Sequence, residues 1–466
     1  MKIVVSRGLD LSLKGAPKES GFCGKIDPAR VSVDLRPFSP FPLKVKVSAG
    51  DHITAGSPLA EYKLFPGAYI TSPVDGEVLD VRRGAKRSLL EIIIKKKPGI
   101  SQAKFSYDLY ALSQKELLDI FKREGLFAFF KQRPFDIPAL PTQSPRDVFI
   151  NLADNRPFTP SVEKHLSLFS SKEDGYYIFT VGVMAIAKLF GLKPHIISTD
   201  RLTLPTQDLI SVAHLHTIKG PFPSGSPSTH IHHIARIQSD RDVVFTISFQ
   251  EVLSIGHLFL KGFVLGQQIV ALAGSALPPS QRRYLITAKG ASFKDLLSPE
   301  MFTCNDISLI SGDPLTGRLC KQEEDPFLGM RDHTITLLPN PKIRETFSFL
   351  KLGWNKLTVT RTYLSGFFKR KRVFMDMDTN LHGENRPIID AEIYEKVSAI
   401  PVPIAPIIRA LETKNFEEAC RLGLLEVAPE DFALPTFIDP SKTEMFSIVK
   451  DSLLSYAKEN ILPSLQ

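Results

Sequence analysis

Five of the eleven histidines stand within twenty positions of one another, as His214-x-His216 and His230-x-His232-His233. Neutral imidazoles in such pairs become metal ligands where two pairs converge with a carboxylate or thiolate. Read as a strand, the second group puts His230 and His232 on one face, but nothing nearby in sequence supplies the remaining ligands. The histidines are therefore read as structural, and no metal is expected. Phosphate chemistry would need glycines where backbone amides approach an anion at a helix start. No G-x-x-x-x-G-K followed by Ser or Thr occurs, and Gly182 and Gly191 lack the middle glycine of a dinucleotide fingerprint. An iron–sulfur cluster needs four grouped thiolates, whereas the closest pair among Cys23, Cys304, Cys320 and Cys420 is Cys304 with Cys320. The G-x-S-x-G and H-E-x-x-H hydrolase patterns are missing as well.

The chain that must position any site is long. Its 466 residues suggest about three domains, and 43% apolar with 23% charged residues is ordinary globular composition. The net charge of +8 is spread thinly and no nucleic-acid-binding motif accompanies it, so no nucleic-acid partner is expected. Four scattered cysteines argue for a reducing compartment. The start lacks the apolar core of an export signal. The longest apolar stretch, Thr180 to Leu189, is broken by Lys188 and is too short to span a bilayer. Any membrane association is expected to be peripheral.

Short strands are predicted over Leu43 to Val47, Tyr69 to Ser72, Gly76 to Arg82 and Ser88 to Lys96. Gly50-Asp51 and Asp75-Gly76 fit tight turns between them, and the segment resembles a biotinyl/lipoyl domain. The lysine that holds the prosthetic group in carrier members is usually flanked by methionines. Here Lys63 has none beside it, and it is read as a solvated surface residue. Helical spacing runs from Gln114 to Gln132 and stops near Arg133-Pro134. Strands over Asp147 to Ala153, His195 to Thr199 and Leu209 to His216, with helices over Asp174 to Gly191 and Gln250 to Lys261, predict βαβ crossovers and a partly parallel sheet. From Gln267 the pattern turns to short strands around one brief helix. There Gly290-Ala291-Ser292-Phe293 and Gly312-Asp313-Pro314-Leu315-Thr316-Gly317 resemble the soluble-ligand-binding β-grasp module. A strand-rich Arg344 to Met375 precedes helices at Asn415 to Leu422 and Phe446 to Lys458.

Several further patterns occur together in fixed order. They include Arg7-Gly8-Leu9-Asp10-Leu11, Arg83-Gly84-Ala85-Lys86-Arg87, Arg133-Pro134-Phe135, Ser228-Thr229-His230-Ile231-His232, Gln250-Glu251-Val252 and Pro429-Glu430-Asp431. Over essentially the whole chain they resemble the A-subunit family of the Na⁺-translocating NADH:quinone oxidoreductase. The resemblance implies a bacterial inner-membrane complex of six subunits that passes electrons from NADH to quinone and exports sodium. This chain would be its large soluble part, peripheral on the cytoplasmic face, with five partner subunits, several of them membrane-embedded. NADH, the flavins and the iron–sulfur centre would reside in those partners, leaving this chain no bound cofactor and quinone as its substrate.

The expected fold is multidomain α+β: residues 1–100 a biotinyl/lipoyl-like β domain, 101–262 an α/β Rossmann-like domain like the flavin subunit of complex I, 263–343 a β-grasp module, and 344–466 a strand-rich segment and helical tail. A quinone needs hydrogen-bond donors for two carbonyls and an apolar, often aromatic trough. Arg36-Pro37-Phe38, Arg133-Pro134-Phe135 and Arg156-Pro157-Phe158 each set such a pair on a loop. The second follows a greasy helix end and coincides with the family pattern, so Phe130, Arg133, Pro134 and Phe135 are the quinone-proximal candidates. In the competing structural reading Phe135 anchors the loop in a core and Arg133 pairs with an acid. Phe367-Phe368-Lys369-Arg370-Lys371-Arg372 is read as a solvated face rather than a membrane contact. The rival function is a redox-inactive scaffold that holds the membrane subunits and has no ligand. A third, an NADH–flavin enzyme, is opposed by the missing glycine loop.

Overall fold

Alternation of buried and exposed residues along the N-terminal strands closes a sandwich of two small sheets. One sheet has the order Arg30–Asp34, Leu89–Lys96, Gly76–Arg83 and His52–Ile53; the other has Leu43–Val45, Pro58–Tyr62 and Tyr69–Thr71. Val33, Leu59, Tyr62, Val78 and Ile92 fill the space between them. The same apolar core runs on into the C-terminal helices Ile404–Glu412 and Met445–Asn460 through Phe135, Ile137 and Leu140. The computed structural model describes the chain apart from residues 19–23, 100–106, 304–305, 322–324, 342–351, 354–363, 365–373, 389 and 461–466.

A seven-stranded sheet forms the centre. Its members are β1 (Lys2–Val4), β2 (Lys131–Arg133), β3 (Ile137–Pro138), β4 (Asp147–Asn151), β5 (His195–Thr199), β6 (His214–Lys219) and β7 (Val244–Ser248), in the order β1-β6-β5-β4-β7-β2-β3. The first five in that order are mutually parallel, and β2 and β3 close the edge antiparallel. Such strands need cover on both faces. Helices α1 (Gln114–Arg123), α2 (Lys172–Phe190) and α4 (Phe249–Lys261) pack on one side, and α3 (Pro227–Ile234) on the other. A third sheet of six strands runs Arg318–Cys320, Ile307–Ser311, Thr334–Pro339, Gln267–Ala273, Arg283–Ala288 and Gly24–Lys25. The chain start thus serves two sheets outside the barrel, Lys2–Val4 beside β6 and Gly24–Lys25 beside Arg283–Ala288. Among the described residues no helix is long and apolar enough to cross a membrane.

Three expectations are corrected. The helix predicted to reach Gln132 stops at Arg123. Gly125 turns left-handed at φ 73°, a 3₁₀ turn covers Leu126–Phe129, and Lys131–Arg133 become β2 because β7 and β3 take up their backbone hydrogen bonds. The strand predicted over Leu209 to His216 is a helix, Thr206–Val212, followed by β6, whose pairing begins where His214 meets His195. His230 and His232 sit on α3, started by Pro227, and not on a strand. Two helical positions separate them and turn their side chains apart, so His230 is buried while His232 bonds Glu426 at 2.7 Å. The strand-rich reading of Arg344 to Met375 lies almost wholly outside the described residues, and the basic run from Phe367 to Arg372 lies entirely outside them.

Helices α2 and α4 approach so closely that glycine is required at their crossing. A Cβ on Gly256 would lie 1.8 Å from the Ile178 carbonyl oxygen, and one on Gly182 would lie 2.4 Å from that of Val252. Gly256→Ala must push the two backbones apart and is expected to cost about 3 kcal/mol of stability, read as a lower urea midpoint with an unchanged slope.

Candidate functional site

Strand β2 and the turn after it carry the four quinone-proximal candidates. Phe130 ends the 3₁₀ turn fully buried, with Phe190 and Phe245 at 5.8 and 6.0 Å between ring centroids. Pro134 is buried and follows a cis peptide bond. Phe135 is 3% exposed and stacks on Tyr456 of the last helix at 5.5 Å. Arg133 is 2% exposed; its Nη1 donates to Ser228 Oγ at 3.1 Å and its Nη2 to Glu430 Oε1 at 2.8 Å. Its Nε lies 3.4 Å from Asp136 Oδ1, and Lys131 Nζ donates to Asp136 Oδ2 at 3.1 Å. Burial works against the guanidinium charge, but Asp136, Glu430 and Asp431 outweigh it and raise the pKa. The four residues are brought together as one turn, yet three of them enter different packed regions. Phe130 belongs to the α/β core, Phe135 to the core shared by barrel and tail, and Arg133 to an ionic cluster between them. Their side chains do not form an open trough.

A polar region of different character lies nearby. From β4 the chain proceeds to β5 and β6 on one side of the sheet, while β7 lies on the other. Such a reversal leaves a crevice outside the carboxyl ends of β4 and β7, where doubly wound sheets bind ligands. The loop after β4 places Arg156 there. Its Nη2 donates to Asp154 Oδ2 at 2.6 Å, and its Nη1 lies 3.6 Å from Asp313 of the six-stranded domain. Burial would raise the Asp154 pKa, but Arg156 overrides it and lowers it. Asn155 fixes the loop by accepting from Gly225 N at 3.0 Å and donating to Ser224 Oγ at 3.1 Å. Position 225 must be glycine, since a Cβ would lie 2.1 Å from the Ala153 carbonyl oxygen.

The first turn of α4 closes the other side. Ser248 and Glu251 form a reciprocal capping box: Ser248 N donates to Glu251 Oε2 at 3.0 Å, and Glu251 N to Ser248 Oγ at 3.4 Å. The amides that hold phosphate in related crevices are thus partly taken, beside a carboxylate. Gln250 in the same turn is 1% exposed, and neither side-chain amide atom has a hydrogen-bond partner. Asp154 acts on the buried rings of His165 and His230. Burial keeps both neutral, lowering their pKa values to about 4 and about 3. Nδ1 of His165 is unpartnered, and neither nitrogen of His230 completes a hydrogen bond, although the Ser224 backbone lies alongside. The two histidines are buried neutral groups that feel Asp154, the carboxylate paired with Arg156.

The turn and the crevice are parts of one polar layer. Glu430 acts electrostatically on both Arg133 and Arg156. Arg331 of the six-stranded domain donates to the carbonyl oxygens of Ala128 and Phe130, and its Nε lies 3.4 Å from Glu251 Oε1. Lys289 lies over the Phe129 ring at 4.7 Å and donates to Ser254 Oγ at 3.0 Å, its pKa lowered to about 8 by burial. The sequence flagged the Arg156 tripeptide but not Gln250, His165 or His230 as its neighbours. The readable signal was Ser248-x-x-Glu251, a capping-box pattern that marks a helix start after a strand. Among the described residues no group of three or more His, Cys, Asp or Glu could hold a metal ion.

The two histidines set a pH dependence. Unfolded, each binds a proton near pH 6.5; folded, they do so only near pH 4 and pH 3. The unfolded state therefore holds more protons in that window, so stability is complete above about pH 6.5 and falls on acidification. Each ring should remove roughly 2 kcal/mol between pH 6.5 and 5. His230→Leu is expected to recover one such share, seen as a shallower dependence of the denaturation midpoint on pH.

Known proteins carry the same three units. The NqrA N-terminal barrel-sandwich hybrid domain matches residues 3–97, the NqrA second alpha/beta domain residues 112–264, and the NQRA C-terminal domain residues 269–322. The A subunit of the Na(+)-translocating NADH-quinone reductase from Chlamydia trachomatis serovar L2 is 86% identical over 464 residues, covering 100% of both chains. The proteins of the same name from Chlamydia pneumoniae and Rhodopirellula baltica are 65% and 28% identical, covering 99% and 98% of this chain and 98% of each relative. A solved chain of an NAD⁺-reducing [NiFe]-hydrogenase covers 68% of this chain and 55% of its own at 9% identity and a TM-score of 0.34, too distant to support any argument. The chain belongs to the NqrA family, the A subunits of the Na⁺-translocating NADH-quinone reductase, an oxidoreductase complex, and so has other subunits as partners.

Proposed function

We propose that this chain contributes to ubiquinone binding and reduction within the sodium-translocating complex. It would lie peripherally on the cytoplasmic face of the bacterial inner membrane, held by five other subunits. NADH, the flavins and the iron–sulfur centre are assigned to those partners, and the isolated chain has no complete active site. The observation that carries this reading is the buried, unpartnered amide of Gln250 in the turn after β7, together with unpartnered ring nitrogens on neutral His165 and His230, both of which feel Asp154. A quinone is a neutral molecule with two carbonyl acceptors, and it needs donors rather than an anion cradle. The capping box of α4 supports the same choice, because it occupies amides that a nucleotide phosphate would use. In this proposal Phe130, Arg133, Pro134 and Phe135 are quinone-proximal as the packed backing of the crevice, with Glu430 linking Arg133 to Arg156. The division at 1–100, 101–262, 263–343 and 344–466, with lipoyl-like, Rossmann-like, β-grasp-like and helical characters, is retained as part of it.

A specific observation favours the scaffold reading as second. Phe130 and Phe135 are packed into two cores, and Arg133 is ion-paired, as expected of a joint between domains. Calorimetric titration of the folded chain with a short-chain ubiquinone separates the two. Quinone binding predicts a saturable signal that Gln250→Leu weakens about tenfold, the loss of a buried hydrogen bond. An Arg133→Ala, Phe135→Ala variant that stays folded is expected to weaken it as well, by loosening the wall. Absence of saturable binding by the unaltered chain would contradict the quinone role and leave the scaffold.

A further inference from the structure

Strands Gly76–Arg83 and Leu89–Lys96 of the barrel form a hairpin whose tip is the Arg83-Gly84-Ala85-Lys86-Arg87 run. Val81 and Leu89 pack on the barrel core, and beyond them Arg83, Ala85, Lys86, Arg87 and Ser88 are all exposed. The base of the hairpin is tied down. Glu91 accepts from Arg82 Nη1 at 2.9 Å and from Ser32 Oγ at 2.8 Å, and the Arg82 guanidinium lies over the Phe327 ring of the six-stranded domain at 5.9 Å. Asp80 also leans on Arg82, at 3.8 Å. The tip is different. Arg83, Lys86 and Arg87 have no carboxylate partner among the described residues, and Arg83 Nη1 donates to the Arg87 carbonyl oxygen at 3.4 Å.

Two backbone bonds close the tip, Gly84 N to the Ser88 carbonyl oxygen at 2.8 Å and Ser88 N to that of Ala85 at 3.1 Å. Lys86 and Arg87, the central residues of the turn that the second bond closes, both have positive φ, 52° and 58°. A turn of this kind follows the twist of a hairpin but is normally built from asparagine and glycine, because a Cβ is crowded there. Here two long cationic side chains occupy it instead. Backbone outliers of this kind concentrate at binding and switch sites. The hairpin thus presents three uncompensated cations on a turn whose backbone is fixed and whose base is anchored to two domains.

We propose that this tip docks on an acidic surface of another subunit of the reductase, with Arg83, Lys86 and Arg87 pairing with its carboxylates. The inference uses the chain's membership in the complex and is independent of the quinone reading. A fluid layer of lipid headgroups adapts to any cationic loop and asks for no particular backbone. A locked turn matches carboxylates that are themselves fixed on a protein, and guanidinium forks take such carboxylates in two parallel bonds. Carbodiimide treatment of the assembled reductase tests the contact, because it joins a lysine amine to an adjacent carboxylate with loss of water. Mass spectrometry should find Lys86 joined to an aspartate or glutamate of another subunit, and acetic anhydride should modify Lys86 several-fold more slowly in the complex than in the free chain. Lys86→Asn with Arg87→Gly supplies the residues that the turn prefers, so this variant should fold. Its rebinding to a reductase stripped of this subunit should weaken about tenfold at low salt, a gap that closes as salt rises. Unchanged affinity, or equal acetylation with no cross-link from Lys86, would overturn the proposal. Binding of the isolated chain to vesicles of anionic phospholipid, lost in the double variant, would overturn it too, because the tip would then be a lipid contact.

Discussion

A guanidinium removed from water must keep its carboxylates, and that constraint fixes the relative placement of three parts of this protein. Arg133 on the edge of the central sheet is held by Asp136 from its own turn and by Glu430 from the C-terminal part. Removing one partner of such a pair strands a buried charge, at about 3–5 kcal/mol. The turn therefore cannot slide without losing Glu430, and Glu430 also acts on Arg156 across the crevice. Further contacts pin the same interface: Ser226 donates to Asp431 at 2.7 Å, and Arg236 and His232 both bond Glu426. Phe130 and Phe135 lock the turn into an apolar core on either side.

The central sheet around that joint reverses its strand order at β4 and β7, as doubly wound sheets do where they bind ligands, but the chemistry at this crevice is its own. A helix N-terminus normally offers free amides to an anion. Here α4 turns its Glu251 amide on Ser248 and sets the Glu251 carboxylate at the same end, and Gln250 and the buried histidines are neutral. The six-stranded domain completes the enclosure by sending Asp313 to Arg156 and Arg331 to the carbonyl oxygens before β2. The result is a polar, largely charge-balanced layer.

Much of this was legible in the sequence where local pattern decides structure. The barrel strands, β4, β5 and helices α2 and α4 follow from apolar runs bounded by caps and glycines, such as Gly191 and Gly262 in left-handed conformation. What failed depended on distant partners. Lys131-Gln132-Arg133 continues a helical pattern as well as it starts a strand, and only pairing with β7 decides. Whether Arg133 lines a trough or a joint depends on Glu430, 297 residues away, which no local reading supplies. The resemblance singled out this turn, and the fold points its side chains inward. His230 and Gln250 stood in patterns noted above, but nothing local joined them to each other or to His165, because each is ordinary in its own segment.

The central claim is that the crevice between β4 and β7 receives the quinone when the chain is in its complex. Hydrogen exchange measured on the assembled reductase, with and without a short-chain ubiquinone, tests it most directly. The account predicts slowed exchange in Asp154 to Phe158 and in the first turn of α4, with the barrel strands unchanged. Slowed exchange confined to other subunits, with both segments unaffected, would contradict it.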